Sequence, residues 1–186
     1  MFKSIEEFGK YVVIAGFKNA RIHNVDSLCK RIKKLKPVEV QFFNAQRIAT
    51  WQHLYFAALN AINAFEKKTN VSRSLAIEMM RFASARRQIR EAMSTVGIQA
   101  GCTDIAATIV GDDKKNVDCA FKVVSELING KHDDSVLELT AKKVKEIEKA
   151  FETTPTELEA VTKNGETDQA LLNLVLERMA LVSTQR

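Results

Sequence analysis

Hydrophobic spacing along the chain switches several times between the period of a strand and the period of a helix, and this limits the possible folds more than any other feature. Val38–Phe43 alternates apolar and polar positions before Asn44, which predicts a strand. From Ile48 to Lys68 the apolar residues recur three or four positions apart, which predicts a helix. Asp104–Val110 is apolar and β-branched, which predicts a buried strand.

About four strands and six or seven helices are predicted in all. The other strands are expected at Lys10–Arg21 and Ser135–Leu139, and Arg86–Val96 is expected to form a helix that Gly97 stops. The elements interleave without an internal repeat or a linker, so residues 1–186 are expected to form a single domain. Because the strands are few and irregularly spaced, we expect an α+β fold, with a mixed or antiparallel sheet packed against the helices.

The composition excludes several classes of protein. With 46% hydrophobic and 27% charged residues, the chain has the balance of a soluble globular domain. It has no long uncharged apolar run, which argues against a transmembrane helix and a membrane partner. Its first residues carry acids early and lack an apolar stretch typical of a signal peptide, so a cytoplasmic location is expected.

The common catalytic motifs are absent. The three cysteines are far apart, and the glycines never come close enough for a GxGxxG or Walker A phosphate loop. His23, His53 and His132 have no ligand spacing between them, so neither a metal nor a cofactor is expected. His132-Asp133-Asp134 resembles a catalytic fragment, but we interpret it as a polar turn that enters a strand.

Charge is distributed unevenly along the chain. Residues 1–100 carry a net charge of +10 and residues 101–186 a net charge of −5, within a total of +5. Such a split predicts that different surfaces meet different partners. Lys30–Lys36 is the weaker basic candidate; the stronger one is an arginine cluster formed by Arg81, Arg86, Arg87 and Arg90. If one helix runs continuously through this cluster, Arg86 and Arg90 lie on the same face of it. That face either binds nucleic-acid phosphates or is an ordinary solvated surface.

The predicted last helix, from about Asp168 to Val182, has two apolar stripes. Leu172, Val175, Met179 and Val182 form one stripe, and Leu171, Leu174 and Leu181, with Arg178 among them, form the other. A helix packed on one core needs only one stripe. The helix is therefore either buried deeply in the core or covered on one side by a partner protein.

Five segments in order resemble a single small family. They are Asn19-Ala20-Arg21-Ile22, Gln41–Ala45 with Ile48-Ala49-Thr50-x-x-His53, Glu78 with Ser84–Ile89 followed by Ala92 and Gly97, Asp133–Glu138 and Glu177–Leu181. This pattern is similar to the kinase-binding subunit of the KEOPS complex, the relatives of the PRPK-binding protein. The family often has glycine at the position of Ala85, so alanine here predicts a junction that stays near helical geometry.

The resemblance implies a non-catalytic regulatory subunit. It implies binding to a small atypical kinase/ATPase of KEOPS, the complex that makes threonylcarbamoyladenosine in tRNA, and an indirect link to the catalytic subunit. It also implies binding to the single-stranded 3′ end of tRNA. We assign tRNA contacts and a kinase interface on this basis: Arg47, Arg81, Arg86, Arg87 and Arg90 for tRNA, and Leu171, Leu174, Arg178 and Leu181 for the kinase.

Other readings stay open. Trp51 or Tyr55 is a candidate for stacking on a base, although core packing also accounts for both. The chain is alternatively a pure protein-interaction module whose positive charge serves an acidic partner. An enzyme that uses His132, Asp133 and Asp134 is the third hypothesis.

Overall fold

An antiparallel sheet lies at the centre of the molecule. In the computed structural model, which describes residues 1–22 and 24–182, the long strands are β1 (Phe2–Ile5), β2 (Lys10–Lys18), β3 (Glu39–Asn44) and β4 (Ile105–Gly111). They lie in the order β1-β2-β4-β3, and every neighbouring pair is antiparallel. A two-residue strand, β5 (Lys131–His132), pairs with the end of β2.

Eight α-helices surround the sheet within the described residues. They are α1 (Val25–Ile32), α2 (Trp51–Glu66), α3 (Leu75–Ser84), α4 (Ile89–Val96), α5 (Lys114–Ile128), α6 (Ala141–Phe151), α7 (Pro155–Val161) and α8 (Thr167–Leu181). Short polar side chains accept hydrogen bonds at the start of most of these helices, as in the capping box of Thr154 and Glu157 before α7.

The sheet is covered on both faces because its strands alternate between two cores. Val12 and Ile14 of β2 point into a core with α2, α3, α4, α6 and α8. Val13 and Phe17 of the same strand point into a second core with α1 and α5. This period of two follows from strand geometry, in which successive side chains lie on opposite faces.

The α+β prediction is confirmed, with an antiparallel sheet. The predicted strand at Ser135–Leu139 is wrong, because Asp134–Leu137 forms a 3₁₀ turn. The Asp133 side chain accepts the Ser135 N–H, and the Asp134 carboxylate accepts the Gly16 N–H at 2.8 Å, so local side chains replace the ladder bonds of a strand. Strand β1 was not predicted, because four residues carry too short a pattern.

Candidate functional site

The junction between α3 and α4 sets the direction of the arginine cluster. Ala85 adopts a left-handed conformation, with φ of 53°. Its N–H donates to the Phe82 oxygen at 2.9 Å, and the Arg86 N–H donates to the Arg81 oxygen at 3.3 Å. The prediction of a near-helical junction is therefore wrong, since these two bonds satisfy helix-end carbonyls and offset the cost of a left-handed alanine. Arg86 and Arg90 do not lie on one continuous helix, because α3 ends at Ser84 and α4 begins only at Ile89.

Arg81 lies inside the protein rather than on its surface. Its side chain is 3% exposed and forms an ion pair with Glu78, which is 1% exposed. Burial alone would raise the pKa of the Glu78 carboxyl, but hydrogen bonds from Ser72 and the Arg81 guanidinium lower it overall. The assignment of Arg81 to tRNA contact is thus corrected, because its guanidinium is buried and bonds to Glu78 and to the Arg87 main-chain oxygen.

Arg47 also has a structural partner. Its Nη1 donates to the main-chain oxygens of Ser94 and Thr95, the latter at 2.9 Å. These carbonyls lie in the last turn of α4, where the helix dipole favours a positive charge. Arg47 therefore fixes the C-terminal end of α4, and its side chain is only partly exposed.

Arg87 and Arg90 are exposed, and no described carboxylate pairs with either. Two apolar side chains of α4 lie near them in sequence and are also exposed, Ile89 at 42% and Met93 at 53%. We call these four residues the α4 patch. Exposed guanidinium groups beside exposed apolar side chains suit a ligand that has both charged and flat apolar parts.

Arg86 meets the last helix at the turn between α6 and α7. Its guanidinium forms an ion pair with the carboxylate of Glu152. Arg178 of α8 donates to the main-chain oxygen of the same Glu152 at 3.3 Å and pairs with Glu157 at 3.0 Å. A cavity of about 150 Å³ opens between these groups, and its lining contains Ser84, Ala85, Arg86, Phe151, Arg178 and Leu181. The structure therefore brings together residues that the sequence assigned to two separate partners.

The two apolar stripes of α8 mostly face the core. Leu171 is fully buried and Leu174 is 7% exposed, since α8 packs against α2, α3, α6 and α7. Their assignment to a kinase interface is corrected, because neither presents enough surface for a partner. Leu181 is 47% exposed and Arg178 is partly exposed, so the assigned residues that remain at the surface lie at the C-terminal end of the helix.

A cleft with a volume of about 550 Å³ lies at the opposite end of α8. Its lining includes Trp51, Leu137 and Leu172, with Glu138 and Asp168 at exposed positions. Trp51 is half-buried, contacts Tyr55 edge to face at 6.2 Å and lies under the Lys3 ammonium, 4.8 Å from the ring centre. These contacts account for both aromatic residues as packing groups, as one of the two readings predicts.

The two described histidines lie in different environments. His53 is buried, where its Nδ1 accepts the Ala49 N–H at 3.1 Å and its Nε2 lies 2.7 Å from the Ala83 oxygen. His132 is exposed and lies 3.1 Å from the Asp134 carboxylate, while His23 lies outside the described residues. Across residues 1–22 and 24–182, no cluster of three His, Cys, Asp or Glu side chains could hold a metal ion.

Sequence reasoning missed Glu152 and Phe151, which join the two predicted sites. Glu152 has a left-handed conformation, with φ of 56°, at the end of α6. Glutamate gives no local signal for that conformation, which glycine and asparagine favour.

Within the described part of the chain, no helix is both long enough and apolar enough to cross a membrane.

The chain is similar to a known protein family and to a curated archaeal protein. The sequence model of the family described as "Kinase binding protein CGI-121" matches residues 17–183. The regulatory protein Cgi121 of Methanocaldococcus jannaschii is 32% identical over 140 residues, which cover 75% of this chain and 83% of that protein. The match to the family model thus includes β3, β4, the α4 patch and the last helix.

Proposed function

The chain belongs to the CGI-121 family of kinase-binding proteins, and from this premise we propose that it binds and regulates a small atypical kinase/ATPase without catalysing a reaction itself. The archaeal relative is named a regulatory protein.

For the kinase we propose a docking surface at the exposed end of α8. Leu181 is the exposed apolar anchor, and the partly exposed Arg178 lies beside it at the same cavity. Protein interfaces concentrate their binding energy in a few apolar and arginine residues of this kind. Leu171 and Leu174 are buried and fix α8 on the core.

The kinase assignment is tested by purifying the chain gently from its native context, identifying a small kinase among the co-purifying proteins and measuring its association with the chain. Leu181→Glu should weaken binding by about tenfold or more, because it places a charge in an apolar contact. Val161→Glu is the matched control, since Val161 is an exposed apolar residue of the neighbouring helix α7. Equal binding by the wild type and Leu181→Glu would overturn this placement.

We further propose that the protein is a subunit of KEOPS and recruits the 3′ end of tRNA. The observation that carries this part is the α4 patch, where Arg87 and Arg90 are exposed beside Ile89 and Met93. Guanidinium groups would contact the phosphates, and the apolar side chains would lie against unpaired bases. In the complex, such an anchor would help to bring tRNA to the catalytic subunit.

The test is binding of the isolated chain to bulk tRNA over a salt series. Arg87→Gln and Arg90→Gln should each weaken all tRNAs about equally and reduce the salt dependence by about one counterion. Arg31→Gln on α1 serves as the control for charge alone, because α1 covers the other face of the sheet. It also tests the lysine-rich segment, the weaker basic candidate.

A second candidate function is a protein-interaction module that does not bind tRNA. It is favoured by one observation: Arg47, Arg81 and Arg86 already have partners within the chain. This reading predicts kinase association with no tRNA binding even at low salt. The tRNA titration therefore distinguishes the two functions directly.

A further inference from the structure

Two main-chain hydrogen bonds hold Glu152 beside Arg86, the residue that precedes Arg87 of the α4 patch. Its N–H donates to the Glu148 oxygen, and its own main-chain oxygen accepts a hydrogen bond from Arg178 at 3.3 Å. These bonds keep the residue in a left-handed conformation that glutamate rarely adopts. The side chain is 73% exposed, yet it points to Arg86 and forms an ion pair with it.

The Glu152 carboxylate neutralises Arg86, whereas the two arginines that follow it in the sequence have no such partner in the described part of the chain. Arg87 and Arg90 have no ion pair among the described residues, whereas Arg86 has one. A phosphate chain that extends from the α4 patch to Arg86 would therefore meet a guanidinium that already pairs with a carboxylate. Phosphate and carboxylate compete for the same donors because both accept two parallel hydrogen bonds from a guanidinium.

We propose that Glu152 is a built-in competitor for Arg86, and that an RNA phosphate engages Arg86 only when it displaces the Glu152 carboxylate. This inference rests on the proposed tRNA binding and adds a means of limiting its affinity. Displacement is feasible because an exposed carboxylate regains water when it leaves, so the ion pair costs little to break. The fixed main chain keeps the carboxylate close, so the competition persists.

The variants Glu152→Gln and Glu152→Asn test the proposal through their affinity for bulk tRNA at low salt. Both remove the charge, and asparagine also suits the left-handed conformation, so the second variant guards against misfolding. We expect tRNA to bind about two- to fivefold more tightly, which is the range of one exposed ion pair. Glu159→Gln is the matched control, since Glu159 is exposed on α7 and has no described ion pair.

A double-mutant cycle separates this local competition from a general change in charge. In an Arg86→Gln background, Glu152→Gln should leave the tRNA affinity unchanged, because the competed group is gone. Equal tightening by Glu152→Gln and Glu159→Gln would overturn the proposal, as would unchanged binding by both Glu152 variants beside a wild type that binds tRNA. If neither wild type nor variants bind tRNA, the proposed tRNA function fails, and this inference falls with it.

Discussion

The Nε of Arg81 donates a hydrogen bond to the main-chain oxygen of Arg87 at 2.9 Å. The same guanidinium uses Nη1 to pair with the buried carboxylate of Glu78. One buried side chain thus joins α3, through Glu78, to the exposed segment that carries Arg87. This connection explains how a short segment after a left-handed residue keeps a defined direction.

Replacing Arg81 with methionine is expected to lower the free energy of unfolding by about 3–5 kcal/mol, because the Glu78 charge would remain buried without its partner. Urea denaturation at neutral pH measures the change. Replacing both residues, as Glu78→Gln with Arg81→Met, should cost less than Arg81→Met alone, since no buried charge remains. A double variant that is less stable than the single one would contradict this explanation.

Ala85→Gly is expected to raise the free energy of unfolding by about 0.5–1 kcal/mol, because glycine adopts a positive φ without the steric cost of a Cβ. Thermal or urea unfolding provides the measurement. Ala92→Gly in the interior of α4 is the opposite control and should lower stability by about 1 kcal/mol or more. If both variants lost the same free energy of unfolding, the left-handed conformation of Ala85 would not be strained.

His53 should make the protein less stable as the pH falls from about 6.5 to about 4. Burial lowers the pKa of His53 to about 4, from 6.5 when it is unfolded. Between these values the unfolded chain binds a proton that the folded chain does not, so stability rises with pH across this window, by about 3 kcal/mol in total. The free energy of unfolding is measured by denaturation at pH 7, 5.5 and 4.5. His53→Gln should reduce the change of this free energy with pH, and an unchanged pH dependence would refute the prediction.

Gly16→Ala is expected to destabilise the protein by about 2 kcal/mol or more, through overlap with the turn that crosses β2. An added Cβ would lie 2.5 Å from Val136 Cγ2 and 2.6 Å from the Asp133 oxygen. Gly9→Ala is a comparison of another kind, because its Cβ would meet open space and only its φ of 58° opposes alanine. The Gly16 variant should therefore unfold at a lower urea concentration than the Gly9 variant.

Much of the fold could be predicted from the sequence because it depends on local spacing. The strand pattern at Val38–Phe43 and the apolar run at Asp104–Val110 correspond to β3 and β4, and the helical period from Ile48 corresponds to α2. The segment Ser135–Leu139 misled the prediction, because adjacent side-chain carboxylates and the Gly16 N–H form bonds that no residue pattern displays. The prediction of a near-helical junction at Ala85 was wrong for a similar reason, since backbone hydrogen bonds at the end of α3 override the preference of alanine for a right-handed conformation.

The sequence by itself determined the class of fold, the family and the existence of a basic half. Only the tertiary structure decided which arginines of that half face solvent. Arg81 is buried with Glu78, Arg86 is paired with Glu152 across 66 positions of the chain, and Arg87 is exposed. The physical reason is that periodicity is a local property, whereas burial and charge pairing depend on residues that folding brings together.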